Sequence, residues 1–195
     1  MHRNAEATRT RLLDAASRIV VEQGVDALTL EAVAHRAGMS KGGLLHHFAS
    51  KEALTSALIE HAFATYETVI EQALDPDEPE GTPGRWTRAY VRSSFDTDER
   101  VHTLGVALAL MTRRTPDLVR AAAAGIGRIW EALDHDGLDA VHAALIRSAA
   151  DGVYYNEAVG NPPLPEPMRS QVREMLLAMT RETPVVAHGE RGGTA

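Results

Sequence analysis

Residues 29–48, TLEAVAHRAGMSKGGLLHHF, constrain the fold more than any other segment, because they hold two short apolar faces separated by a glycine turn. Thr29 can cap a helix over residues 30–37, where apolar side chains recur every three or four positions. Gly38 follows where the chain must turn away, a position that favours positive φ. The apolar residues of the next helix that point back to the first are Leu44 and Phe48. With Ser40 as the cap of this second helix, the spacing predicts a helix-turn-helix.

Prolines divide the remainder of the chain, and none of the nine occurs before Pro76. Because proline is tolerated mainly in loops and first helical turns, helices can run through the proline-free stretches. Apolar residues recur there with helical spacing, and no convincing alternating strand is found. The predicted helices, besides a first one ending near Gly24, span residues 50–74, 85–95, 98–114, 117–134, 138–159 and 166–181. The sequence therefore predicts an all-α chain whose helix 50–74, about 36 Å long, joins two subdomains.

The charge of the chain is distributed unevenly. A formal net charge of −7 argues against a surface suited throughout to nucleic acid or anionic membrane. Residues 32–51, however, contain Arg36, Lys41, Lys51 and three histidines and no carboxylate. A local positive field of this kind is what a phosphate-binding face requires. Since neither a signal-peptide core nor an apolar run of about 18 residues is found, we expect a cytoplasmic protein without membrane contact.

From about residue 6 to residue 65 the chain resembles the TetR family of bacterial transcriptional regulators. The resemblance is carried by an amphipathic first helix and then, in order, by LTLEAVAHRAGMSKGG, HHF and SKEAL. It implies a three-helix DNA-binding domain closed by Phe48, a long fourth helix opened by SKEAL, and Lys51 beside a DNA phosphate. Many members have tyrosine in place of Leu45 and threonine or alanine in place of Gly43. This chain has no hydroxyl at either position, and His46 is the candidate substitute donor.

The residues expected to contact double-stranded DNA lie on the outer side of this helix-turn-helix and at the start of the long helix. Paired glycines weaken a helix by about 1 kcal/mol each relative to alanine, unless a partner approaches the backbone closely. His46 and His47 point about 100° apart on a helix, so they do not chelate one metal, and solvated surface is the alternative to DNA contact. Thr29 and Ser40 can be simple caps or can also donate to phosphate. The full set is Thr29, Ser40, Lys41, Gly42, Gly43, Leu45, His46, His47 and Lys51.

The helices after residue 84 resemble the variable, all-helical effector domain of the family, and no motif there names a ligand. Aromatic and polarisable side chains are few, and a core position explains most of them. His102 is a candidate polar pocket group, with a hydrogen-bonded helix histidine as the alternative. The residues chosen to line a site for an unknown small, mainly apolar effector are Trp86, Tyr90, Met111 and Trp130.

The last two predicted helices carry apolar residues on more than one side, which leaves a face after packing within the chain. Two such pairs form a four-helix bundle between the subunits of a homodimer, as in the family. The alternative is a helix pair buried wholly within one monomer. The residues predicted for the dimer interface are Val141, Leu145, Ala149, Gly152, Val172, Met175 and Met179.

Enzymatic and metal-binding functions find little support in the sequence. The GIG at 125–127 lacks the third glycine of a dinucleotide-binding motif and lies in an alanine-rich predicted helix. A cluster around Asp134 fails the EF-hand spacing, because Gly137 follows that aspartate by three positions rather than five, and a helix-ending turn explains it more simply. The chain has no cysteine, no Walker motif and no nucleophile elbow. We therefore expect no enzyme activity, no cofactor and no metal.

The sequence as a whole predicts a DNA-binding domain at residues 6–65, a larger helical effector-binding and dimerisation domain at 66–181, and a flexible tail at 182–195. The predicted function is that of a dimeric repressor, which binds a palindromic operator and is released by its effector. The alternative is a small-molecule or protein-binding helical module in which the helix-turn-helix is vestigial.

Overall fold

The computed structural model of the protein describes residues 2–96, 101, 103–105, 107–108 and 116–181. These ranges are helical with connecting turns and contain no strand, which confirms the all-α prediction. The helices are α1 (His2–Gln23), α2 (Leu30–Arg36), α3 (Lys41–Leu45), α4 (Lys51–Gln72), α5 (Arg85–Asp96), α6 (Pro116–Asp134), α7 (Ala140–Ala158) and α8 (Met168–Met179). A single 3-10 turn, Val25–Ala27, follows α1. A membrane span would need a longer or more continuously apolar helix than any in the described part of the chain.

Most helix bounds agree with the sequence prediction to within two or three residues. The difference that matters is at α3, which ends at Leu45, whereas the spacing predicted a helix that still contains Phe48. The amides of His47 and Phe48 both donate to the carbonyl of Leu44, at 2.8 and 2.9 Å, so the chain tightens there and Phe48 is still turned inward. Most of the predicted helix 98–114, with His102 and Met111, and the tail 182–195 lie outside the described residues.

Caps set the ends of the short helices as the sequence predicted. The side chain of Thr29 accepts a hydrogen bond from the Ala32 amide, and that of Ser40 accepts one from the Gly43 amide, each at 3.1 Å. At the C-terminus of α2, Gly38 has φ 68°, and the Met39 amide donates back to the carbonyl of Ala34 at 3.0 Å. This is the glycine-terminated helix end that reverses the chain between α2 and α3.

Two apolar clusters form the core, and two helices contribute to both. The first cluster joins α1, α2, α3 and the beginning of α4 around Leu44 and Phe48. The second joins α5, α7 and α8 with the end of α4 around Ile146. As expected, α4 reaches both clusters; α6 does so as well, because Leu118 lies in the first and Leu133 in the second. The helices α4 and α6 therefore connect the two clusters.

The helices α4 and α6 cross closely where one residue has no side chain. Gly125 of α6 is buried, and a Cβ atom at that position would lie 2.6 Å from the side chain of Phe63 on α4. Phe63 packs against both apolar clusters. A glycine is therefore required for α4 and α6 to cross this closely.

The aspartates around residue 136 serve the fold. The carboxylate of Asp136 accepts from the Trp86 and Thr87 amides at 2.9 and 2.7 Å and so caps α5. Asp139 caps α7, and Asp134 pairs with Arg147 at 2.8 Å. Among the described residues, no group of three His, Asp or Glu side chains has the arrangement of a metal site.

Candidate functional site

One side of α3 packs against the core, and the other side is exposed. We call this exposed side, with the residues predicted to contact DNA, the α3 surface. Leu44 is fully buried and Phe48 nearly so, whereas Leu45 on the opposite side is 40% exposed. All nine residues predicted to contact DNA lie at the surface: Gly43 and His47 are half-buried, and the other seven are exposed. The helix is therefore held by its apolar side and leaves its other side open to a partner.

The positive charges of this surface are partly neutralised. Lys41 forms an ion pair with Glu31 of α2, and Arg36 pairs with Glu22 of α1 at 2.7 Å. A hydrogen bond from Lys41 is the main cause that lowers the pKa of Glu31 below its ordinary value. The carboxylates come from outside residues 32–51, so the local charge is smaller than the sequence window indicated. A phosphate at this surface must compete with Glu31 for the Lys41 ammonium.

The glycines of α3 leave space on this surface. A Cβ atom at Gly42 would have only the Ser40 hydroxyl within 4 Å, at 3.9 Å. At Gly43 it would meet that hydroxyl at 3.4 Å and the end of Met39 at 3.6 Å, which are ordinary contacts. Packing among the described residues therefore does not require glycine at either position, and the prediction that a partner approaches the backbone closely there stays a prediction.

Arg9 of α1 belongs to the same edge, although the sequence did not single it out. Its guanidinium lies over the Phe48 ring, 4.5 Å from the ring centroid. Phe48 stands between α3 and the start of α4 at Lys51, so Arg9 adds a cationic group beside the α3 surface. No ion pair among the described residues includes Arg9, and the apolar spacing of α1 carried no sign that it would reach Phe48.

The aromatic residues predicted to line an effector site are not brought into one pocket by the described residues. Trp86 lines a cavity of about 30 Å³, enough for about one water molecule, which the Glu67–Arg128 ion pair borders. Tyr90 is buried in the second cluster, and the Trp130 ring is covered by Arg147 at 4.6 Å. Met111 lies outside the described residues. The sequence-based choice of these four residues stays a prediction.

A polar cluster inside the second domain was missed by the sequence analysis. The Tyr90 hydroxyl donates to the carboxylate of Asp151 on α7 at 2.5 Å, and the Tyr66 ring of α4 packs edge-on against that of Tyr90. Burial is the main cause that raises the pKa of Asp151. The only available sequence signal was the spacing of Asp151, Tyr154 and Tyr155, which places them on neighbouring turns of one helix.

An exposed apolar face runs along α7 and α8. Val141 is 74%, Leu145 57% and Met175 66% exposed. A groove of about 450 Å³ continues this face and is lined by Ala149, Gly152, Val153, Asn156, Glu157, Asn161, Pro162 and Leu164. Val172 and Met179, also predicted for the interface, are half-buried and pack against the second cluster. A contiguous apolar face of this kind is typical of a protein–protein interface.

Comparison with known proteins connects both parts of the chain to one family. The family described as "Bacterial regulatory proteins, tetR family" matches residues 12–58, and the family described as "Tetracyclin repressor-like, C-terminal domain" matches residues 84–181. The second match alone covers half of the chain. The first match contains α2, α3 and the start of α4, and therefore the whole α3 surface.

Individual relatives match this chain over different shares of its length. The HTH-type transcriptional regulator UidR of Escherichia coli (strain K12) is 41% identical over 75 residues, which cover 36% of this chain and 38% of UidR. The HTH-type transcriptional regulator BetI of Burkholderia thailandensis is 29% identical over 153 residues, or 76% of each chain. Among solved structures, the multidrug binding protein EbrR, in complex with imidazole, has a TM-score of 0.65 at 24% identity over 92% of this chain and 97% of EbrR. This last similarity shows the fold.

Proposed function

Because the chain belongs to the TetR family of bacterial DNA-binding transcriptional regulators, we propose that it is a dimeric repressor that binds a palindromic operator and is released by a small molecule. The observation that carries the proposal is the α3 surface. Leu44 and Phe48 fix α3 from within, while its outer side, free of packing, presents backbone and donors as a major-groove helix must. Chromosomal operators would require the protein to act in the cytoplasm.

The exposed face of α7 and α8 supports the dimer. Val141, Leu145 and Met175 are large apolar side chains exposed by more than half, and burial against a second copy would remove them from water. In such a dimer two α3 helices would enter successive major grooves. The operator half-sites are then expected to be palindromic, with centres about 34–36 Å apart or a multiple of that distance.

Control by a small molecule is supported by the helices that join the two apolar clusters. Lys51 begins α4 at the α3 surface, and the part of α4 from Tyr66 onwards lies in the second cluster. A molecule that favours one position of α4 would change the distance between the two α3 helices of the dimer. A dimer that cannot bind both half-sites at once loses most of its affinity for the operator, so a small change in this distance is enough. We propose an effector with a mainly apolar body, with Trp86, Tyr90, Met111 and Trp130 still its candidate neighbours.

The proposal is tested by selecting fragments of the host's genomic DNA that the full chain retains, and by measuring their affinity against salt. We expect one palindromic sequence and a steep loss of affinity with rising salt. Lys51→Ala should weaken binding to all sequences and lower the salt slope by about 1 for each phosphate that is no longer neutralised. Arg181→Ala is the matched control, because it removes an exposed cation at the end of α8 and should leave both quantities unchanged.

His46→Ala distinguishes base recognition from phosphate contact, since it should change sequence preference if the imidazole reads a base. Absence of salt-dependent duplex binding by the wild type would refute the proposal. That result would favour a helical binding module with a vestigial helix-turn-helix.

A further inference from the structure

All four tyrosines of the chain gather around one carboxylate in the second domain. Tyr66 comes from α4, Tyr90 from α5, and Tyr154 and Tyr155 from α7. The Tyr66 and Tyr90 ring centroids are 6.1 Å apart and those of Tyr154 and Tyr155 5.0 Å apart, each pair edge to face. Burial is the main cause that raises the pKa of all four hydroxyls, and the charge of Asp151 contributes to each shift. Asp151 accepts the hydrogen bond of the Tyr90 hydroxyl and lies one helical turn before Tyr154 and Tyr155 on α7, so it connects the two pairs.

The Asp151 carboxylate is half-buried and forms no ion pair among the described residues. Arg147, one helical turn earlier, donates to Asp134 at 2.8 Å and lies over the Trp130 ring, so its guanidinium is held elsewhere and acts on Asp151 only through space. The single hydrogen bond found for Asp151 within the described ranges comes from the Tyr90 hydroxyl. A carboxylate withdrawn from water without a counter-charge in contact lowers stability, and buried charges are normally paired.

A purely structural role does not require this charge. Tyr90 needs an acceptor for its hydroxyl proton, and a neutral asparagine at position 151 would supply one. The serine hydroxyls nearby already have acceptors, since Ser93 and Ser94 both donate to the Tyr90 carbonyl, at 2.8 and 2.9 Å. Within the described part of the chain the negative charge of Asp151 therefore has no cation in contact with it, which points to a positive charge supplied by a ligand.

We propose that Asp151 and the surrounding tyrosines bind a cationic nitrogen, so that the effector is an organic amine or quaternary ammonium compound with an apolar or aromatic body. Electron-rich aromatic rings attract an ammonium group, and a carboxylate beside them adds the opposite charge. The same charge disfavours carboxylates, phosphates and sulfonates. The inference rests on the proposed function only where it calls the bound molecule an effector, because amine binding itself does not depend on DNA.

The test compares two probes of nearly equal size, benzylamine, which is protonated at neutral pH, and benzyl alcohol, which is neutral. Their dissociation constants for the full chain are measured by ligand-observed NMR at pH 7. We expect the wild type to bind benzylamine at least about tenfold more tightly, since a hydrogen bond to a charged group is worth about that much. Asp151→Asn should abolish the difference, and Asp151→Glu, which keeps the charge, should retain most of it.

Glu131→Gln is the control for the general negative charge of the domain, because Glu131 is exposed on α6 and its side chain makes no described hydrogen bond. It should leave the tenfold preference intact. Equal affinities of the wild type for the two probes, or a preference that survives in Asp151→Asn, would overturn the inference.

Binding of the wild type to the genomic fragments is measured in the same samples by fluorescence anisotropy. Salt-dependent DNA binding without amine preference would remove the inference and leave the proposed function standing. Amine preference without DNA binding would refute the proposed function and leave the amine site standing.

Discussion

Adding one methyl group at a glycine of α3 should raise the stability of the protein and lower its affinity for DNA. Gly42 lies in an exposed helical turn, and its new Cβ atom would have no neighbour closer than 3.9 Å. Alanine is better than glycine in a helix by up to about 1 kcal/mol, so Gly42→Ala should raise the free energy of unfolding by that amount and the melting temperature by about 2–4 °C. Thermal unfolding followed by circular dichroism measures this gain.

The same methyl group should weaken binding to DNA, because it stands where a base edge or phosphate would approach the backbone. If displacement of the partner costs about 1 kcal/mol per subunit, a dimer loses about 2 kcal/mol, or roughly 30-fold in affinity. Gly127→Ala is the matched control: Gly127 is exposed on α6, nothing lies within 4 Å of its added Cβ, and the same stabilisation is expected with no change in affinity. Unchanged or tighter operator binding by Gly42→Ala would refute the argument that the glycines serve a closely approaching partner.

Three other substitutions test the interface, the helix crossing and the half-buried carboxylate of Asp151. Met175→Asp places a charge where the wild type exposes 66% of a methionine, so the folded monomer should persist while dimerisation, measured by sedimentation, is abolished; a variant that remains dimeric would exclude this face. Gly125→Ala brings a Cβ atom within 2.6 Å of Phe63 and should lower the free energy of unfolding by about 1–3 kcal/mol through overpacking, in contrast to the gain at Gly127. Because burial raises the pKa of Asp151, the folded chain takes up a proton there at a higher pH than the unfolded chain. The free energy of unfolding of the wild type, relative to that of Asp151→Asn, should therefore rise as the pH falls through the folded pKa toward about 4. Urea unfolding at a series of pH values measures this difference. If it stays constant, the carboxylate is solvated in the folded chain.

The parts of the fold that the sequence predicted correctly depend on neighbours in the chain. The caps at Thr29 and Ser40, the positive φ of Gly38 and the burial of Leu44 all follow from interactions over three to six positions. Such rules hold before any tertiary packing is known. The early end of α3 shows their limit, since Phe48 reaches the core through a tightened turn that periodicity alone does not distinguish from helix.

Features that join distant helices could not be predicted in this way. The count of charges in residues 32–51 missed Glu22 and Glu31, which neutralise Arg36 and Lys41 from neighbouring helices. Likewise, aromatic content directed attention to Trp86 and Trp130, which lie against a small cavity and beneath an arginine, respectively. The tyrosine cluster combines residues from three helices, and only the packing of α4, α5 and α7 brings them together.

The position of Tyr66 connects the proposed amine site to the DNA-binding surface. Tyr66 and Lys51 lie on the same helix, 15 residues or about 22 Å apart, and α4 carries no proline that would break it between them. The Tyr66 ring packs edge-on against that of Tyr90, and the Tyr90 hydroxyl donates to Asp151. If a cation pairs with Asp151, we expect the Tyr90 hydroxyl to change its hydrogen bond, and the ring contact between Tyr90 and Tyr66 would then favour some positions of α4 over others. A ligand shifts such an equilibrium only by its difference in affinity between the two positions, and DNA must weaken amine binding by the same factor by which the amine weakens DNA binding. Calorimetric titration of an amine effector with and without the operator measures that factor directly, and equal affinities in the two titrations would show that the cluster binds a ligand without controlling DNA binding.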